Sequence, residues 1–156
     1  MLVVVGAHQG QPRRCSALSL VRASPDVAWG ARCEDDGVST TVLIVDDHCD
    51  FRAFARALLE AAGFEVVGEA VDGESALAAA RALKPALVLL DVQLPDIDGF
   101  AVCEQLAGDD GPPVVVLTST RDASSYRRRL GQSSASGFIA KAELSGPLLG
   151  TFAGGV

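Results

Sequence analysis

The chain has 156 residues, 49% of them hydrophobic, and a formal charge of −7, which allows one domain with a sizeable core and a tail. Residues 1–37 hold four arginines and four acids, whereas residues 38–156 hold nine basic and sixteen acidic side chains, so the whole negative excess lies in the second part. An acidic domain argues against direct nucleic-acid binding, which needs Lys and Arg against phosphate, and no apolar run approaches the roughly 18 residues of a membrane span.

Residues 1–40 mix Gly, Pro, Arg and Ser without a sustained period. They are expected to be a largely disordered extension, with a transient strand at 2–5 or a short helix near 16–23. A second reading starts the chain near Val38, which would need a non-standard initiator because Met1 is the only methionine. Leu2–Val5 is too short for a signal-peptide core. The cysteines at 15, 33, 49 and 103 form no CxxC and have no His at metal-ligand spacing, so reduced thiols and a cytoplasmic location are expected.

From residue 41 the pattern alternates. A strand at 41–46 precedes a helix at about 49–62, whose apolar face is read as Phe51, Phe54, Ala55, Leu58 and Ala62, with Gly63 as its stop. A strand at 64–70 leads to Asp72, a cap for a helix at 73–83 with Ala76, Leu77, Ala80 and Leu83 inward; Pro85 forbids its continuation. A third strand spans 86–91, and Asp98 caps a helix at about 99–107. Pro112-Pro113 opens a fourth strand at 114–118, followed by a weaker helix at about 122–131. The fifth strand is 137–140, and a last helix from about 142 to 152 is interrupted by Gly146-Pro147. Five such units make a doubly wound α/β domain over 41–153, a five-stranded parallel sheet with helices on both faces. The flavodoxin-like order 2-1-3-4-5 is taken from known folds and puts strands 1 and 3 at the switch point.

Asp46-Asp47, Asp91, Thr118 and Lys141 each stand at or just past the end of an apolar run. In a parallel sheet the ligand site lies beyond the carboxyl ends of the strands, so three carboxylates, a hydroxyl and an ammonium are expected at one spot. Like charges about 4 Å apart repel by roughly 4 kcal/mol at an effective dielectric of 20, and a divalent cation relieves that. Mg2+ prefers a few carboxylate oxygens with water and phosphate. Asp46, Asp47 and Asp91 are its expected ligands, with the backbone carbonyl near Gln93 as a further one. Asp91 is placed to act as a nucleophile on phosphorus, with Lys141 and Thr118 pairing equatorial oxygens. Each residue alone also has an ordinary structural reading: helix cap, Asx turn, strand end, solvated lysine.

Residues 41–144 resemble a bacterial response-regulator receiver domain, through VLIVDD (42–47), VDGESAL (71–77), LVLLDVQLPDIDGF (87–100), VVVLTS (114–119) and GFIAK (137–141). The resemblance implies that Asp91 is the phosphoacceptor, that Asp46 and Asp47 hold Mg2+, that Thr118 is the switch hydroxyl and that Lys141 pairs with the phosphoryl group. Phe138 takes the aromatic switch position, and the side chains of Gln93 and Thr120 fall where the family tunes dephosphorylation. The expected protein is a stand-alone signalling module. A histidine kinase or phosphotransfer protein phosphorylates it, and a partner protein reads the surface of helix 4 and strand 5. Direct DNA binding, membrane insertion and any enzyme activity beyond its own phosphorylation and dephosphorylation are not expected.

Two features depart from the family. The segment after Lys141 is short and rich in Gly, so a short or frayed last helix is expected, and the family's pairing surface through helix 4, strand 5 and helix 5 is left without an assigned oligomeric state. No output domain is expected after residue 153, and Arg127-Arg128-Arg129 reads as a solvated helix face. A Mg2+-dependent phosphohydrolase is the first rival, but Asp91-Val92-Gln93-Leu94 lacks the second Asp of its DxDx motif. The second is an interaction module that needs no phosphate; the presence of all five polar site residues argues against it.

Overall fold

The computed structural model describes residues 3–4, as backbone, and residues 39–154. The expected disorder over residues 1–40 falls almost wholly outside the described residues, as does the short helix near 16–23.

The five expected strands form as β1 (Thr41–Val45), β2 (Glu65–Ala70), β3 (Leu87–Asp91), β4 (Val114–Ser119) and β5 (Gly137–Ala140). They are parallel and lie in the order β2-β1-β3-β4-β5. One further strand, Val3–Val4, pairs in parallel with Gly68 and Glu69 on the outer edge of β2.

The apolar runs are continuous because both faces of the sheet are covered. Leu43, Val45, Val88, Leu90, Val115 and Leu117 point to one face and pack with α2 (Gly73–Leu83) and α3 (Gly99–Ala107). Val42, Ile44, Leu87, Leu89, Val116 and Ile139 point to the other and pack with α1 (Cys49–Ala61) and α5 (Gly146–Ala153). The fourth connection is a 3-10 turn, Ala123–Tyr126, running into α4 (Arg127–Gln132), so the single helix expected at 122–131 is divided.

Several ends follow from local chemistry. Asp72 accepts from the Ser75 amide in a reciprocal capping box, and Asp98 accepts from the Phe100 amide at 2.7 Å. Gly63 takes φ +99° just past α1, a conformation that favours glycine. The interruption expected at Gly146-Pro147 is corrected. Ser145 caps the helix by accepting from the Leu148 amide, and Pro147 sits in the first turn, where its missing N–H costs nothing. The helix spans eight residues, short as expected but anchored by the fully buried Leu149.

The inner face of α1 also differs from expectation. Arg52, Ala55 and Leu59 are its buried residues, whereas Phe54 is 52% exposed. Arg52 is buried because its charge is met: Nε donates to Glu69 Oε1 at 3.0 Å and Nη1 to the Asp46 carbonyl at 2.8 Å. Arg56 Nε donates to the other Glu69 oxygen at 2.7 Å. Cys103 is a free, buried thiol whose pKa burial pushes up to about 11. Cys49, in contrast, is disulfide-bonded, which departs from the expectation of reduced thiols.

Removing one member of the Arg52–Glu69–Arg56 cluster leaves buried charge uncompensated. Glu69→Ala is expected to lower the free energy of unfolding in urea by about 3 kcal/mol, and adding Arg52→Met to recover part of that loss. A loss below about 1 kcal/mol, the range of exposed pairs, would show that the cluster is not sealed from water.

Candidate functional site

The site lies beyond the carboxyl ends of β1, β3, β4 and β5, where the sequence places it. Asp46 follows β1 and is fully buried; Asp91 closes β3 and is 3% exposed. The backbone of Asp46 is fixed from both sides, its N–H donating to the Ala70 carbonyl at 3.1 Å and its carbonyl accepting from Arg52. Asp91 pairs in register with Thr118 on β4. Behind it, Gly99 packs so closely that a Cβ there would meet the Asp91 carbonyl oxygen and the Val92 Cα. Glycine is therefore the residue that fits, and the Gly99 amide donates to the Val92 carbonyl at 2.8 Å.

Lys141, directly after β5, ties the two buried carboxylates together. Its ammonium lies 2.5 Å from Asp46 Oδ2 and 3.4 Å from Asp91 Oδ2, and 4.6 Å from the centre of the Phe51 ring. The other Asp91 oxygen accepts from the Gln93 amide at 3.2 Å. Asp47 is exposed, and His48 Nδ1 stands 3.1 Å from an oxygen of each of Asp46 and Asp47. Thr118 is fully buried, and its hydroxyl has no hydrogen-bond partner among the described residues. Phe138 is half-buried and packs on the Tyr126 ring. Gln93 and Thr120 are exposed.

One ligand atom from each of Asp46, Asp47, His48 and Asp91 lies within 4.8 Å of the others, so this group could hold a metal ion. Clustered carboxylate oxygens are the donors that hard divalent cations take. Asp91 shows the electrostatic cost of the crowding. Burial, and then the neighbouring Asp46 charge, push its pKa up from 3.8 to about 6, against the opposing pull of Lys141 and the Gln93 amide.

The loop that carries Gln93 is clamped by a residue that composition alone does not single out. Asp96 accepts from the amides of Gly73 at 2.7 Å, Glu74 at 2.9 Å and Ile97 at 2.7 Å, which holds its carboxyl below the usual range despite opposing desolvation. It thus pins the β3–α3 loop to the start of α2. His48 was also missed, although its position directly after the acid pair was a signal. Tyr126 was read only as part of a weak helix.

The family described as "Response regulator receiver domain" matches residues 42–150. The chain belongs to that family. Among its relatives, BvgA of Bordetella pertussis, a regulator of virulence factors, is 40% identical over 102 residues, covering 65% of this chain and 49% of the relative. MtrA of Mycobacterium tuberculosis, a DNA-binding response regulator, is 40% identical over 89 residues, covering 56% of this chain and 38% of the relative. The receiver domain of NarL from Mycobacterium tuberculosis superimposes with a TM-score of 0.66 at 33% identity, covering 74% of this chain and 98% of that domain. The chain therefore spans about half the length of the BvgA relatives it matches, and its length alone does not identify a stand-alone module. Receiver membership implies phosphorylation-dependent signalling within a two-component system. No helix among the described residues is long and apolar enough to cross a membrane.

The raised Asp91 pKa gives a signed pH dependence. Ionising this carboxyl is harder in the folded chain, so the stabilisation it brings is complete below pH 3.8 and is lost as the pH rises through about 6. In metal-free protein the Asp91 carboxyl carbon is expected to titrate near 6, and lower once Asp46→Asn removes the adjacent charge. An Asp91 titration that ignores this substitution would show that the two carboxylates do not interact.

Proposed function

We propose that this domain is a switch thrown by phosphorylation of Asp91, with a histidine kinase or phosphotransfer protein as donor. The observation that supports this most is the convergence on one carboxylate. Asp91 is buried at the switch point, with one oxygen facing the Lys141 ammonium and a neighbouring strand presenting the unpartnered Thr118 hydroxyl. An Asp91 oxygen attacks phosphorus, the donor's bond to phosphorus breaks, and the donor leaves with the electron pair. The Lys141 ammonium pairs with one equatorial oxygen of the new phosphoryl group, and the Thr118 hydroxyl donates to another.

Asp46, Asp47 and Asp91, with the Gln93 carbonyl, would hold Mg2+. When bound, the ion supplies charge neutralisation at the transferring phosphoryl group. Asp46 and Asp47 then act as the carboxylates that position it, and Lys141 remains as a second cation that keeps the pocket tolerable between phosphorylations.

The phosphoryl group biases two conformations of one fold. Thr118 turns toward Asp91, Phe138 repacks, and the α4–β5 surface that a partner protein meets is altered. Gln93 and Thr120, both exposed, tune how fast water removes the phosphoryl group. In this role the domain turns over no external substrate and makes no direct DNA contact, and its phosphoryl supply is cytoplasmic.

Incubation with acetyl phosphate and Mg2+ is expected to give the full chain an acid-labile phosphoryl group, and Asp91→Asn is expected to abolish the label. Undiminished labelling of that variant would overturn the assignment of Asp91. Failure of the wild-type chain to take up phosphate would favour a phosphate-independent interaction module.

A further inference from the structure

We propose that Tyr126 is a latch on the switch, a positioning residue that holds Thr118 and Phe138 in their resting places; this rests on the phosphoacceptor reading of Asp91 above.

Tyr126 ends the 3-10 turn that precedes α4 and is buried, at 8% exposure, on a segment whose neighbours are otherwise exposed. Its hydroxyl lies 3.1 Å from Ser119 Oγ, and both groups are buried. Ser119 Oγ also accepts from the Arg121 amide at 3.1 Å. One hydroxyl therefore fixes the chain where it leaves β4, in the residue directly after Thr118.

The ring performs a second task. It stands between Phe100, with centroids 5.9 Å apart, and Phe138, with centroids 5.8 Å apart. Phe100 is braced in turn by the Arg129 guanidinium, 4.2 Å from its ring centre, and that guanidinium donates to Asp98 at 2.9 Å. The stack of Arg129, Phe100, Tyr126 and Phe138 thus runs from the start of α3 to β5.

Strand geometry couples the two tasks. Successive side chains alternate across a sheet, so Ser119 and Leu117 share the face that Thr118 does not, and Phe138, paired with Leu117 in register, packs on that face. A turn of Thr118 toward a phosphoryl group on Asp91 moves the backbone that carries Ser119 and stretches its bond to Tyr126. An inward swing of Phe138 meets the Tyr126 ring. Neither movement is completed while Tyr126 keeps its hydrogen bond, so the latch favours the unphosphorylated conformation.

Removing the hydroxyl while keeping the ring isolates the effect. Tyr126→Phe and Ser119→Ala in the full chain are each expected to raise the initial rate of Asp91 labelling by acetyl phosphate about fivefold at saturating Mg2+, the factor that loss of one ordinary hydrogen bond provides. The double variant is expected to be no faster than either single one, because both remove the same bond. Mg2+ affinity, read by calorimetry, is expected to stay at the wild-type value. A purely structural role would lower thermal stability without speeding labelling. Rates within twofold of wild type, additive effects in the double variant, or a parallel change in Mg2+ affinity would each overturn the latch. A wild-type chain that takes no label at all would instead overturn the phosphoacceptor reading, and the latch with it.

Discussion

Two carboxylates buried side by side are costly in any fold, and here Asp46 and Asp91 are held so by the sheet itself. In a parallel sheet the strands end together, and groups at their carboxyl ends have neighbours on adjacent strands. Asp46 follows β1 and Asp91 ends β3, its hydrogen-bonded neighbour, so neither moves away without breaking the ladder. Lys141, brought in by β5, offsets part of the repulsion by touching both. The offset is incomplete: burial first, and then the Asp46 charge, still hold the Asp91 pKa up against the pull of Lys141. Everything proposed for this surface follows from a pocket whose charges are fixed before any ligand arrives.

That fixity depends on polar groups away from the site. Arg52 reaches back from α1 to the Asp46 carbonyl and is held by Glu69 on β2, which also receives Arg56. Buried ion pairs of this kind bring little net stability against apolar replacements of the same volume. What this one supplies is position, because it joins α1, β2 and the strand end that bears the acid pair. Asp96 does the same for the opposite wall by gathering amides from α2 and from its own loop. Gly99 allows α3 to start against the Asp91 backbone. The site is thus supported from three directions by contacts that do not touch a phosphoryl group.

Strands were readable from sequence because burial on both faces leaves uninterrupted apolar runs, and site residues were readable because they break those runs at their ends. Asp72 and Asp98 announced helices through a chemistry that operates within three residues. The failures share a physical cause: the partner that decided the outcome was distant in sequence. Counting apolar residues on α1 chose Phe54 over Arg52, since nothing nearby reveals that Glu69, 17 positions on, will meet the guanidinium. The same holds for Tyr126, whose burial depends on Phe100 and Phe138. Gly146-Pro147 was misjudged for a different reason. The same two residues break a helix interior and begin a helix well, and only Ser145 before them decides between these outcomes.

Thr118 and Asp91 show why a local chemical event can bias an entire surface. A buried hydroxyl without a partner costs on the order of 1–3 kcal/mol, and the pocket destabilises the charged form of Asp91. On the proposed reading both penalties belong to the resting conformation and would be relieved together: a phosphoryl oxygen would accept from the Thr118 hydroxyl, and a cation held by Asp46 and Asp47 would offset the crowded negative charge. A few kcal/mol of differential stabilisation is the scale on which a two-state equilibrium inverts. The opposing weight is spread over the aromatic stack and the bond between Tyr126 and Ser119, on the far side of β4 from the acid pair. Because β4 carries Thr118 and Ser119 as neighbours, the strand links the two sides directly. If Tyr126 acts as the proposed latch, the ordered packing around it is the part of this fold that would set how far the equilibrium must be pushed before α4 and β5 change their surface.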